Sequence, residues 1–566
     1  MTHEMSPEAT PLLTDRLHQW AAEHAHQRAF TQVDFPDPHS PGLHRTLGWR
    51  ALDARARAVA ERLARTAVPG DRAALLLPQG LDYAAAFLGC LYAGVIAVPL
   101  FWPELPGHAG RLESVLDDCE PACVLTDTDS HQDVDAFTRA RAGQPQVLAV
   151  DDLPPAPEGS RLPRPAPGDV AYLQYTSGST RAPAGVMVTH ANVVANARQA
   201  VAAVGAAPGL STAVGWLPLF HDMGLVLSIA APVFAGYPSV LLTPQAFLER
   251  PERWLRLLGG YPGTISAAPN FAYDYCVARV DAADVTDLRL DRVATLLNGS
   301  EPVRPATLDR FAAAFAGAGL APEALCPAYG LAEATVFVTA DRGDAPPRTV
   351  ECDAAELAKG VVTARAGGGA RLVDCGWPVG QDVRIADPDS RAVLDAGRVG
   401  EIEVRGPNVG SGYWKQPERT AETFHDGWLR TGDLGALHDG GLLVTGRLKD
   451  LIVVDGRNHY PQDIEESVQS APALSALLRR DRIAAFQVPD GGLVVVAEVR
   501  RGTEPDEDMT LAACLAARRA VTARHGLRLA DLVLVPAGSV PRTSSGKVAR
   551  AACRERFLTG ALGGSR

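Results

Sequence analysis

The sequence predicts an α/β protein with three parts: a large N-terminal domain of mostly parallel sheets, a small β-rich subdomain, and a small α+β unit at the C-terminal end. Three observations predict it. Short apolar runs rich in Val, Leu and Ile alternate with stretches of helical period between Leu52 and Leu297, which favours parallel strands with helices packed on their faces. After about Val379 the texture changes to short β segments, VRIADPDS, GEIEVRG and GLLVTG, broken by Gly, Asp and Pro. From Leu451 onward the chain is long enough for a compact domain of its own.

The elements follow in order. After a polar lead-in, Leu52 to Thr66 sets Leu52, Ala56, Val59, Ala60 and Leu63 on one helical face. The turn Pro69-Gly70-Asp71 delivers the chain to a strand at Ala73 to Leu77. Leu81 to Trp102 carries one charge, Asp82, and has the length of a membrane span. Gly94 and Pro99 divide it into a helix (Leu81 to Ala93) and a β-branched strand (Val95 to Leu100), so no membrane span is expected. A helix at Arg111 to Asp117 and strands at Ala122 to Thr126 and Gln146 to Val150 continue the alternation. The proline-rich stretch Pro154 to Asp169 reads as a surface connector between two sheet-forming halves, because proline removes ladder donors. Strands at Val170 to Tyr175, Ala213 to Leu217, Ser239 to Leu242, Thr264 to Ala267 and Val293 to Leu297 come next, with a helix from about His190 capped by Thr189 or Asn192. There is no internal repeat.

Composition bounds the function. Among 566 residues, 46% are hydrophobic and 21% charged, as in an ordinary globular protein. A net charge of −12 argues against a nucleic-acid surface, which needs clustered cations to displace counterions. The nine cysteines are scattered, and Cys119 and Cys123 have no partners at metal spacing, so all read as reduced thiols of a cytoplasmic protein. MTHEMSPEATPLL has no basic-then-apolar order, hence no visible signal peptide. A monomer is favoured.

One run has the chemistry of a phosphate loop. In YTSGSTRAPAGV (Tyr175 to Val186) the hydroxyls of Thr176, Ser177, Ser179 and Thr180, with Gly178 free to take positive φ, can wrap phosphate oxygens. It is not the Walker loop, since the nearest Gly-Lys, Gly546-Lys547, continues with Val548. Taken alone, the run reads equally well as a Ser/Thr-rich surface turn. It is followed in order by WLPLFHDMGL (Trp216 to Leu225), NGSEPV (Asn298 to Val303), PAYGLAEAT (Pro327 to Thr335), TGDLG (Thr431 to Gly435), GRLKDLIVVDGRNHYPQDIE (Gly446 to Glu465) and PRTSSGK (Pro541 to Lys547).

Together these motifs resemble the adenylate-forming superfamily of acyl-CoA synthetases, amino-acid adenylation domains and luciferases, from about Leu52 to Phe557. The wording LQYTSGSTRAPAGV, LFHDMGL, NGSEPV and GRNHYPQDIE is most similar to the fatty acyl-AMP ligases. The resemblance implies the adenylate-forming fold, with an N-terminal domain over 1–446, a hinge over 447–450 at Lys449, and a mobile C-terminal domain over 451–566. It implies ATP-dependent conversion of a medium to long-chain fatty acid to acyl-AMP, then transfer to the phosphopantetheine thiol of an acyl carrier protein supplied in trans. The implied rivals are an acyl-CoA ligase, a carrier-protein ligase for an aryl or short acid, and a non-catalytic nucleotide- or lipid-binding scaffold.

Residue roles follow from the same resemblance. Lys547 is the mobile cation between carboxylate and α-phosphate, with a solvated lysine as the plain alternative. Glu333 would help to hold Mg²⁺ or simply sit at a helix N-terminus. Asp433 would accept from the ribose hydroxyls or serve as a turn residue, and Arg447 would donate to sugar or phosphate. Tyr329, next to Gly330, offers a face to adenine, while Gly299 and Ser300, followed by Glu301, permit close backbone approach. His221 and Asp222 lie at the mouth of an acyl pocket or form a capping pair. That pocket is expected as an apolar tunnel walled by Trp216 to Val233, including Met223 and Gly224, and by Ile265 to Tyr275. Two departures stand out. The loop lysine of the wider superfamily is missing from Thr180-Arg181-Ala182-Pro183-Ala184-Gly185, a variant that fatty acyl-AMP ligases tolerate. A segment from about Asp341 to Asp374 resembles the insertion that sets these ligases apart and restricts domain movement and CoA use; a surface insertion is its plain alternative.

Overall fold

The computed structural model describes residues 11–101, 109–139, 144–157, 160–176, 183–281, 285, 287–367, 369–454, 456–543 and 546–562. Two sheets organise the larger lobe. One has six strands in the order Gln146–Ala149, Cys123–Thr126, Arg72–Leu75, Ile96–Pro99, Val170–Tyr175 and Gly185–Thr189. Its first five strands run parallel and the last antiparallel. Helix Leu81–Ala93 packs against it with every residue buried except Asp82, which is why the stretch is apolar all round. Gly89 lets that helix lie close to helix Trp49–Leu63, since a Cβ there would stand 2.6 Å from Val59. Gly94, at φ +64°, ends the helix in the left-handed region.

The second sheet has nine strands. Thr264–Ala268 is central, with Val293–Asn298 and Leu325–Gly330 on one side and Thr212–Gly215, Ser239–Leu241 and Arg28–Asp34 on the other, all parallel. Antiparallel strands Phe337–Ala340, Trp377–Pro378 and Leu43–Gly48 close its edges. Helix His190–Val204 starts on a reciprocal cap: Thr189 Oγ1 accepts from the Asn192 N–H at 3.1 Å, and Asn192 Oδ1 accepts from the Thr189 N–H at 2.9 Å.

Two expectations are corrected. The polar lead-in is structured: helix Leu13–Glu23 and strands Arg28–Asp34 and Leu43–Gly48 precede the first expected element. Its apolar residues, among them Leu13, Leu17, Phe30 and Val33, are buried in the main core, and Leu13, Leu17, Trp20 and Ala21 recur at helical period inside the polar composition. The proline-rich segment does not divide two sheets. It carries the chain from the edge strand Gln146–Ala149 past three intervening strands to Val170–Tyr175 of the same sheet, a crossing of roughly 19 Å at the usual strand spacing.

The β-rich part is an antiparallel sheet in which Trp428–His438 pairs with Gly400–Arg405, Phe424–His425 and Gly441–Arg447, and Asp382–Ala386 flanks it. Beyond the short turn Leu448–Asp450, three strands (Leu478–Gln487, Leu493–Val499, Leu529–Val535) form a sheet with both faces covered. Val495 and Ala497 enter one apolar cluster and Val494 and Val496 another, as period-two alternation demands. The segment 341–374 is not a plain surface insertion. Strands Thr349–Cys352 and Ala370–Val373 pair antiparallel, and helix Ala354–Ala358 starts on Asp353, whose carboxylate takes the Ala355 and Glu356 N–H groups. Cys352, Leu357 and Val362 are buried with Leu434, Leu443 and Tyr460, and Leu448 and Leu451 pack on them. All nine cysteines are free; eight are buried and Cys514 is half-buried. No helix among the described residues is long and apolar enough to cross a membrane.

Candidate active site

Parallel strands end their ladders on one side of the sheet, and the connections that follow are free to build a crevice there. Thr176 follows Val170–Tyr175, Gly299 and Ser300 follow Val293–Asn298, and Tyr329 and Gly330 end Leu325–Gly330. With Glu333, His221, Asp222, Met223, Arg447, Lys449 and Lys547 they line one cavity of about 400 Å³. Ser177, Gly178, Ser179 and Thr180, with Arg181, lie outside the described residues.

Backbone geometry at this crevice is tight. Gly330 carries no Cβ because one would meet the Val336 carbonyl oxygen at 1.7 Å, and Ser300 is held at φ +78°, a left-handed conformation that costs on the order of 1–3 kcal/mol outside glycine. Gly299 permits a different approach from the expected one, since its missing Cβ would stand 2.8 Å from the Ala328 carbonyl of the neighbouring strand.

Asp433 is buried next to Gly432 of the cavity wall, with the Tyr329 hydroxyl donating to it at 2.9 Å and Arg447 Nε at 3.0 Å. Burial, then the Asp433 charge, push the Tyr329 phenol far up, so it stays a neutral donor. His221 Nδ1 lies 2.5 Å from Asp222 Oδ1, which also accepts from the Met223 N–H at 2.8 Å. Burial raises the Asp222 carboxyl, but the imidazole and the N–H outweigh it and hold the group below the usual range. Next to Lys547 the Gly546 N–H donates to the Thr543 carbonyl, and Thr543 and Lys547 exchange hydrogen bonds at 2.9 and 3.2 Å. Burial and then Arg447 lower its ammonium from the ordinary lysine value, against the pull of Glu301, Asp222 and Asp433.

Glu333 Oε1 accepts from the Tyr413 hydroxyl at 2.8 Å. Among the described residues no group of three His, Cys, Asp or Glu could cage a metal ion. A single carboxylate facing a phosphate-sized space fits Mg²⁺, which completes its shell with phosphate oxygens and water.

Besides Asp433, three expected residues lie off this cavity. Trp216 does not line the cavity; it stacks on Phe247 at 3.9 Å between ring centroids and meets Phe271 edge-on at 6.1 Å. Gly224 is buried because a Cβ would stand 2.1 Å from the Pro218 carbonyl oxygen. Glu301 faces a second cavity, of about 370 Å³, which the C-terminal unit helps to line and which shares Ser300, Arg447, Lys449 and Lys547 with the first. The apolar wall comes from Phe220, Met223 and Leu227 and, in place of Ile265 to Tyr275, from Leu331, Val336 and Phe337. Leu227 sits in a π-helical turn, Val226–Ala230, a distortion frequent at functional sites.

Several contributors carry no signal in the sequence. Tyr413 stands alone in Gly-Ser-Gly-Tyr-Trp with nothing to mark it as the partner of Glu333. Arg111 donates to the Thr176 carbonyl at 2.6 Å from a helix whose pattern marks only its apolar face. Gln174 occupies an ordinary position of a buried strand, yet its side-chain amide donates to the Phe220 carbonyl at 2.9 Å, next to His221.

A crevice at the carboxyl ends of parallel strands, lined by carboxylates and cations together and roofed by a lysine from the C-terminal unit, defines the adenylate-forming class of enzymes. A family model described as AMP-binding enzyme matches residues 17–414, and one described as Disco-interacting protein 2-like, AMP domain, matches residues 449–565. The chain belongs to the AMP-binding enzyme family. It is 44% identical to the long-chain-fatty-acid–AMP ligase FadD26 of Mycobacterium marinum, over 96% of this chain and 98% of the relative. It is 43% identical to a 4-hydroxyphenylalkanoate adenylyltransferase of the same organism, over 96% and 91%. Among solved structures, one from a study of fatty acyl-adenylate ligases of E. coli and L. pneumophila superimposes with a TM-score of 0.87 at 33% identity, covering 97% of this chain and 98% of that one. The L. pneumophila fatty acyl-adenylate ligase in complex with acyl adenylate and pyrophosphate matches with a TM-score of 0.73 at 35% identity, covering 97% and 96%.

Proposed function

We propose that this enzyme activates a medium to long-chain fatty acid with ATP and passes the acyl group to the phosphopantetheine thiol of an acyl carrier protein, in the cytoplasm and as a monomer. The observation that carries the reading is the single crevice in which an apolar wall (Phe220, Met223, Leu227) meets a polar one (Tyr329, Glu333, Lys547). A carboxylate oxygen attacks the α-phosphorus, pyrophosphate leaves, and a mixed anhydride remains. Two anions must meet, so Lys547 neutralises charge in the transition state. Arg447 and Asp433 hold the ribose side, Tyr329 packs on the base, and the Asp222-oriented ring of His221 sits where the acid enters. Mg²⁺, when bound through Glu333, would polarise phosphate oxygens. Residues 451–566 then swing about Lys449 so that a thiol replaces Lys547 at the anhydride.

A second reading has a specific observation behind it: the similarity to a 4-hydroxyphenylalkanoate adenylyltransferase favours an aryl-tailed acid in the same pocket. Incubation with ATP and saturated acids of graded length beside arylalkanoic acids, followed by CoA or a carrier protein, separates the readings by mass spectrometry. Acyl-AMP from the aliphatic acids and a carrier-bound product are expected; CoA thioester as the main product would reject the carrier-protein assignment.

A further inference from the structure

Lys547 belongs to the C-terminal unit, so acid activation needs that unit held against the larger lobe. Strand Leu478–Gln487 loses register with Leu493–Val499 between Leu478 and Ile483, and the irregularity turns residues 479–482 out of the ladder, as bulges do. Asp481 stands in it at φ +55°, with its N–H donated to Gln469 Oε1 at 2.9 Å. Its carboxylate meets Arg304 of the larger lobe at 2.5 Å, the two side chains being 17% and 27% exposed. The preceding residue, Arg480, points to Asp274 at 3.9 Å, a carboxylate already held by Arg310 at 2.6 Å and Thr307 at 2.8 Å. Two consecutive side chains of opposite charge thus reach two opposite charges across the domain boundary.

The receiving end is tied to the reaction cavity. The Arg304 N–H donates to Asn270 Oδ1 at 3.1 Å, and the same oxygen accepts from Asn298 Nδ2 at 3.2 Å. Asn298 directly precedes Gly299 and Ser300 in the cavity wall. The Arg304–Asp481 ion pair therefore connects the loop that shapes the nucleotide site with the unit that delivers the lysine.

We propose that Arg304–Asp481, seconded by Arg480–Asp274, is a latch that positions Lys547 for acid activation and opens for thiol transfer. The inference rests on the two-step reading above. Both residues are positioning residues, since neither lines up with the reacting atoms. Partial solvation suits a latch, because an ion pair with access to water forms and parts at modest cost, whereas a fully buried pair would resist opening.

Arg304→Gln and Asp481→Asn test it, with Arg304→Lys as the charge-keeping control. Acid-dependent exchange of labelled pyrophosphate into ATP reads activation. Transfer from supplied dodecanoyl-AMP to a phosphopantetheine-bearing carrier protein reads the second step. The neutral variants should lose about tenfold in exchange, equivalent to ~1.4 kcal/mol, with transfer unchanged or faster, and Arg304→Lys should restore most of the loss. Hydrogen exchange of residues 300–304 and 478–487 gives a readout independent of turnover: it should quicken in both neutral variants and return in Arg304→Lys. Equal losses in both steps, or unaltered hydrogen exchange, overturn the latch. A wild-type chain inactive in both assays overturns the functional reading, while hydrogen exchange still decides for or against the latch.

Discussion

Lys547 and His190 show how burial sets chemistry at single residues. Because burial and Arg447 lower the Lys547 ammonium, the alkaline limb of kcat/KM for acyl-AMP formation should lie below 10.5, the ordinary lysine value, and kcat/KM reports the free enzyme. Lys547→Ala should remove that limb and lower activation by roughly 10²–10³-fold, while transfer from supplied acyl-AMP persists. His190 is 3% exposed at the start of its helix, and burial lowers it to about 4 against the weaker pull of Asp169. The unfolded chain takes up that proton first, so the contribution is intact above the ordinary histidine value of 6.5 and is lost as the pH falls through about 4. His190→Gln should shrink the stability difference between pH 7 and about pH 4.5 by about 2 kcal/mol, measured by urea unfolding at the two values.

At the scale of elements, the segment around helix Ala354–Ala358 joins the β-rich sheet to the residues flanking the turn Leu448–Asp450 through Leu357, Tyr460, Leu448 and Leu451. Leu357→Ala should cost roughly 2–5 kcal/mol locally, seen as faster hydrogen exchange over 349–373. Freed from that contact, the C-terminal unit should accept free CoA more readily, with acyl-AMP formation unchanged; unchanged CoA use would separate the segment from acceptor choice. The elements most legible in the sequence were those whose two sides are both buried, such as helix Leu81–Ala93, read to the residue, and the parallel strands of the larger lobe. Edge elements were not legible, because Leu43–Gly48 is mostly exposed and its composition has no reason to alternate. The cavity lining was legible where one motif supplies both loop and side chain, as at Tyr329, Glu333 and His221. It was not where a partner arrives from a distant element, as Tyr413 does for Glu333 and Arg111 for Thr176.

For the whole molecule, the separate cores on either side of the turn Leu448–Asp450 make the chain two units joined by a short, exposed connection. Arg447 and Lys449 are exposed there, so trypsin should first cut the free enzyme near them. A non-hydrolysable acyl-adenylate analogue at about a hundred times its Kd should stabilise the larger lobe by about 2.7 kcal/mol and slow that cut; an unaltered digestion rate would place the analogue outside the crevice.

Eight of the nine thiols are sealed in the interior, and Cys514, on helix Glu507–His525, is the one with partial access to solvent. A maleimide dye offered to the native enzyme should therefore settle on that single sulfur. The lysine-bearing unit comes with its own attachment point for a fluorophore, and the proposed swing could be watched in the unmodified sequence.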